Sequence, residues 1–180
     1  MLELSTFFIS SEIANYMMFE RIKQISFTDM LTGINNRNAM NNKVSEIISG
    51  EYVFNKPYGI VFADLNGLKR VNDEIGHSAG DLLLKKAGLT LQEVFVEDEA
   101  YRAGGDEFMV IAEGYTKEEF EKKVNELRKK ASDPENVCFS VGSVYNDTGM
   151  DIRDVMSLAD ELMYKDKEEY YNNHPERKYR

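Results

Sequence analysis

Apolar residues follow two periodicities along this chain, and the alternation between them lays out its elements. Short runs rich in β-branched and aromatic residues predict strands at Tyr58 to Ala63, Ala100 to Ala103, Phe108 to Ala112 and Val137 to Tyr145. Elsewhere the apolar positions recur three and four residues apart, which predicts helices. One lies near Arg37 to Ile48, a short one covers Leu68 to Ile75, and a longer one runs from Ala79 to about Phe95. Leu83, Ala87, Leu91 and Val94 mark the buried face of the longer one. Lys117 to Lys130 turns Phe120, Val124 and Leu127 to one side and a solvated face of charges to the other. A last helix turns Ile152, Val155, Met156, Ala159, Leu162 and Met163 inward. A strand with two helices, a hairpin, then helix, strand and helix predicts a mixed α+β fold. Its central sheet is mostly antiparallel, with helices on its faces.

Residues 1–28 stand apart from this pattern. Ile13, Met17, Met18, Ile22 and Ile25 recur at roughly helical spacing, without glycine or proline. The segment reads as a helical extension or linker ahead of a domain over residues 29–180. It packs either on its own domain or against another chain.

Composition narrows the function. The chain is 42% hydrophobic and 30% charged, an ordinary globular balance, and its net charge is −10. No basic cluster is present, which argues against a nucleic-acid duplex as partner. An anionic nucleotide would need a divalent cation and local lysines to offset the field. Cys138 is the single cysteine, so the chain forms no internal disulfide, and its apolar setting suggests a buried thiol. The opening lacks a basic n-region, and no apolar run approaches the roughly 20 residues of a membrane span. A cytoplasmic location is expected.

The chemistry concentrates in two places. Gly104-Gly105 reads as a hairpin turn whose glycines permit positive φ and close ligand approach, followed at once by Asp106 and Glu107. The strand ending at Ala63 runs into Asp64-Leu65-Asn66-Gly67, a carboxylate at a strand's C-terminal end. If strand and hairpin are neighbours, Asp64 and Asp106 form the carboxylate pair that suits Mg²⁺ beside a phosphate. Capping of the helix that follows is the other reading of Asp64.

Gly104 to Phe108 reads GGDEF, and it resembles the signature of the GGDEF-domain diguanylate cyclases. Four further blocks fall in family order: Asp29 to Arg37, Asp64 to Asp73, Gly76 to Asp81, and Ser140 to Gly142 with Ala159 to Tyr164. The resemblance implies a ferredoxin-like, palm-type nucleotidyl cyclase fold and condensation of two GTP into cyclic di-GMP and pyrophosphate. It implies Mg²⁺, with Mn²⁺ as the alternative, on Asp64, the Leu65 carbonyl, Asp106 and Glu107. Asp106, Lys69 and Glu107 inherit the catalytic roles, Lys69 by stabilising the transferring phosphates. Asn72 and Asp81 inherit the reading of guanine, with His77 near the ribose or ordering its turn. Gly104 and Gly105 offer backbone to the phosphates, as Lys167 offers its ammonium. Helix capping remains the other reading of Asp81.

Three positions depart from the family pattern. Asp166 replaces an alanine, Tyr171 an arginine that faces phosphate, and Phe95 the arginine of the inhibitory RxxD motif whose acid would be Asp98. Asp98 therefore reads as a surface acid. A symmetric product from a site that holds one GTP implies a catalytic homodimer. The alternative is a non-catalytic module that binds GTP or cyclic di-GMP and regulates a partner. An upstream sensor domain or protein would supply the input signal.

Overall fold

The strands β1 (Tyr58–Leu65), β2 (Glu99–Arg102), β3 (Glu107–Glu113) and β4 (Phe139–Asn146) form one sheet in the order β2-β3-β1-β4. Every pairing in it is antiparallel. The structure is a computed structural model that describes residues 12–18, 26–96, 99–133 and 136–177. Its helices are α1 (Arg37–Ser49), α2 (Leu68–Glu74), α3 (His77–Val94), α4 (Lys117–Lys130) and α5 (Ile152–Asn173). A 3₁₀ turn, Pro175–Arg177, follows. Strand β3 lies between β1 and β2, and β1 between β3 and β4, so two split βαβ units interleave in the ferredoxin-like way.

Alternate residues of the central strands feed opposite faces of the sheet. Val61, Ala63 and Leu65 join Phe108 and Val110 beneath α3 and α4, where Leu84, Leu91, Phe120 and Leu127 complete the main core. Ile60, Met109 and Ile111 face the other way and meet Met40 of α1 and Val155 and Ala159 of α5. Glycines set how closely the helices lie. A Cβ on Gly142 of β4 would stand 2.0 Å from the Ala159 carbonyl oxygen, so α5 rests on bare backbone there.

The open edge of β4 is covered by side chains. Asp166 of α5 accepts from the Val141 N–H at 2.7 Å, and its two oxygens accept from Arg128 Nη1 at 3.0 and 3.1 Å. Arg128 in turn donates to the Val141 carbonyl. An unpaired strand edge invites foreign pairing, and this clamp occupies it.

The structure moves several expected boundaries. Helix α3 begins at His77, not Ala79, and its buried stripe runs through Gly80, Leu84, Ala87, Gly88 and Leu91, with Leu83 only partly covered. Strand β2 ends at Arg102, and β4 starts at Phe139 and not at Val137. Leu162, expected inside, is 38% exposed because Ala159 and Met163 carry the contact of α5 with the sheet. Residues 12–18 are helical and expose Ile13, Met17 and Met18, whereas Ile22 and Ile25 lie outside the described residues. Among the described residues no helix is long and apolar enough to cross a membrane.

Candidate functional site

Strand β1 delivers Asp64 to the rim of the sheet, directly across from Glu107 in the β1–β3 register. Leu65 N–H donates to the Asp106 carbonyl at 2.9 Å, which closes the strand against the hairpin tip. The expected adjacency of strand and hairpin is therefore present. Helix α2 is capped by Gly67 and has no side-chain cap, which removes N-capping as the reason for Asp64.

Asp64 is buried, and its two oxygens fare differently. Oδ2 accepts from Lys167 Nζ of α5 at 2.7 Å. Oδ1 is buried with no hydrogen-bond partner. Burial raises the pKa of this carboxyl, Lys167 offsets part of that, and the charges of Asp106 and Glu107 add to it. Lys167 shows the complementary balance: burial opposes its charge, but the bond to Asp64 and the nearby acids outweigh that and raise its pKa. The burden falls on the carboxylate because its side chain is 4% exposed and that of Lys167 is 31%. A hard oxygen donor left unpaired among three acids is the chemistry that a divalent cation satisfies. Among the described residues, His, Cys, Asp and Glu side chains form no group of three or more poised around a common metal position. The donors fit such an ion in kind, with Asp64 the one fixed in place.

The hairpin tip is built by close approach and not by unusual backbone. Neither Gly104 nor Gly105 has positive φ, so the freedom that glycine permits is not used there. Ala103 and Gly104 N–H groups both donate to the Glu107 carbonyl, at 2.8 and 3.1 Å. A Cβ on Gly104 would meet Glu107 Oε2 at 2.5 Å, so this glycine makes room for the signature's own carboxylate. Around Gly105 there is open space.

A second set of predicted residues gathers on α2 and α3. The Asn72 side chain lies against Gly80, where a Cβ would stand 2.0 Å from Asn72 Oδ1. That contact brings Asn72 next to the chain position of Asp81. Asp81 is exposed in the second turn of α3, and the helix is capped by Gly76, so capping does not account for it. His77 is exposed at the start of α3, which excludes a core role. Lys69 is exposed in the first turn of α2. Phe95, where the inhibitory motif would have arginine, is 1% exposed and belongs to the main core. Asp98 lies outside the described residues.

Two polar arrangements escaped the sequence reading. Arg102 donates to both Asp29 oxygens at 3.2 Å and to the Gly105 carbonyl at 3.2 and 2.7 Å, tying residue 29 to the hairpin tip. Thr32 N–H and Oγ1 complete the shell of Asp29 at 2.9 and 2.7 Å. Burial works against the Asp29 charge, and the bonds from Thr32 and Arg102 overcome it and lower its pKa. Asn66, buried after Asp64, accepts from Ser140 and donates to the Cys138 sulfur at 3.7 Å. Cys138 is buried and unpaired, and burial raises its thiol pKa.

A family model described as "Diguanylate cyclase, GGDEF domain" matches residues 26–173. An uncharacterized protein in the hutH 5′ region of Streptomyces griseus is 34% identical over 167 residues, 88% of this chain and 69% of that one. The cyclic di-GMP phosphodiesterase PdeR of Escherichia coli is 32% identical over 158 residues, 83% of this chain and 24% of PdeR. The chain thus spans about a quarter of that relative's length. In structure it is similar to the coiled coil and GGDEF domain of DgcB from Caulobacter crescentus, solved in complex with c-di-GMP, with a TM-score of 0.75. That likeness has 22% identity and covers 93% of this chain and 94% of the other, and it supports the palm-type fold.

Proposed function

The chain belongs to the GGDEF domain family, and from that premise we propose that it is a diguanylate cyclase, joining two GTP into cyclic di-GMP with release of pyrophosphate. The observation that supports this most is Asp64: a buried carboxylate with one unpaired oxygen, opposite Glu107 and beside Asp106. Mg²⁺, or Mn²⁺ in its place, would be held by Asp64, the Leu65 carbonyl, Asp106 and Glu107, and would lower the pKa of the attacking 3′-hydroxyl and offset phosphate charge. Lys69 and Lys167 stabilise the phosphates electrostatically. The Gly104–Gly105 turn offers backbone to them. Asp106 is a weak base when it binds a cation, so the hydroxyl proton passes to water.

Asp81 and Asn72 read guanine, whose N1–H and amino donors adenine lacks, with His77 beside the ribose. Asp81 is exposed before a base binds, and a hydrogen bond to a charged acceptor contributes about 1.5–3 kcal/mol. Asp81→Ala should therefore relax the preference for GTP over ATP, measured as the ratio of kcat/KM values. Equal use of ATP by the native protein would remove this role. Each site holds one GTP, so two protomers must face each other across a two-fold axis.

Incubation with Mg²⁺ and GTP followed by nucleotide separation tests the proposal. Cyclic di-GMP and pyrophosphate should form, and production should collapse in folded Asp64→Asn and Asp106→Asn variants. The second reading is a module that binds without turnover. It draws on Tyr171, a tyrosine four residues beyond Lys167 where a cation would assist the phosphates. Bound GTP recovered intact would select that reading.

A further inference from the structure

We infer that the cleft between α2, α3 and the C-terminal turn is a second ligand site, separate from the one above, for a small phosphorylated molecule. Arg70 of α2, Lys86 of α3 and Arg177 of the 3₁₀ turn line it, against Glu74 as the one acid. In a chain of net charge −10, three cations converging from three elements make a local reversal of sign. Two of them are held by neighbours. Lys86 Nζ donates to Asn136 Oδ1 at 2.9 Å, and Arg177 Nε lies 3.7 Å from Glu176 with its side chain 18% exposed.

Val71, Leu83 and Tyr170 also line the cleft, together with the polar Asn66 and Asn136. Cations beside apolar and aromatic side chains suit a phosphate ester with a flat organic group, the phosphate taken by arginine forks. The cleft holds about 260 Å³, below the usual size of a drug-binding pocket, so the occupant is mononucleotide-sized at most.

Helix geometry separates this cleft from the proposed nucleotide site. Lys69 and Asn72 share one side of α2, and Arg70, Val71 and Glu74 share the opposite side. The cleft nonetheless reaches Asn66 and Gly67, the residues directly after Asp64 and Leu65. An occupant would press on the same short helix and loop that carry the proposed chemistry.

The test is calorimetric titration of the full chain, free of divalent metal and at low salt, with AMP and with inorganic phosphate. AMP lacks guanine's donors, so the proposed guanine readers do not favour it. AMP should bind with a Kd below about 1 mM, and an Arg70→Ala/Lys86→Ala/Arg177→Ala variant should weaken it at least about tenfold. Lys69→Ala/Lys167→Ala should leave the affinity unchanged. AMP binding well above phosphate identifies an organic phosphate as the ligand, and equal affinities identify the bare ion; either upholds the site. No heat with either probe at millimolar concentration overturns it. So does binding that survives the triple variant and is lost in the Lys69/Lys167 variant. If the triple variant unfolds, Arg70→Glu at a helix-surface position makes the same comparison.

Discussion

Asp64 is where activity and stability pull apart. Its folded pKa is raised by burial and by two neighbouring acids, with Lys167 offsetting only part of that. The native state therefore holds this proton more tightly than the unfolded chain does. Stability from this group falls as pH rises from the unfolded value, about 3.9, through the raised folded one. At neutral pH the charged side chain is a net cost to the fold. Metal-free Asp64→Asn should melt no lower than the native protein, and on the order of 1 kcal/mol of relief would raise Tm by about 2–4 °C. A clearly lower Tm would show that the Lys167 pair outweighs the burial. Gly104 differs in kind: an added methyl meets the far end of the Glu107 side chain, which can swing away. Gly104→Ala should keep the fold within about 1 kcal/mol while slowing turnover by displacing Glu107, as thermal melts and initial rates would show. Asp64, Asp106 and Asn72 could be read from the sequence because each sits in a recognisable block. Arg102 could not, because its partner Asp29 is 73 residues away and an arginine before a glycine turn looks like surface charge.

At the scale of elements, the Asp166–Arg128 clamp accounts for one departure from the family pattern. An alanine at position 166 would leave the Val141 N–H on the β4 edge without its side-chain acceptor and Arg128 Nη1 without its carboxylate. Asp166→Ala should destabilise the fold by about 1–3 kcal/mol, seen as a lower urea midpoint at unchanged m-value. No loss would mean that water serves the exposed edge equally well. Periodicity located the helices and strands because large apolar residues mark their buried faces. It failed where small residues carry the contact. The stripe of α3 includes Gly80, Ala87 and Gly88, with Thr32 close over Gly88, so counting leucines chose Leu83 over Leu84. In α5 the periodicity places Ala159 and Met163 inward correctly but draws the buried stripe too wide by adding Leu162.

On the scale of the whole molecule, one chain supplies half of the proposed reaction. The acids of the proposed site, Asp64, Asp106 and Glu107, share one end of the sheet, and the proposed guanine readers Asn72 and Asp81 form a single set. A two-fold symmetric product needs the same set from a second copy. The helical residues 12–18 carry Ile13, Tyr16, Met17 and Met18 at 54, 67, 66 and 66% exposure, apolar surface at the end of the chain that precedes the proposed domain. Pairing through this segment would set how often two sites meet, without touching the GTP contacts. Activity per protomer should then rise with protein concentration, because dimers form by mass action. Removing residues 1–25 should shift that concentration dependence and leave the KM for GTP nearly unchanged. Light scattering beside initial rates separates the possibilities. A protein that is monomeric throughout, with a specific activity independent of concentration, would show that two copies need not meet, and the homodimeric mechanism would fall with it.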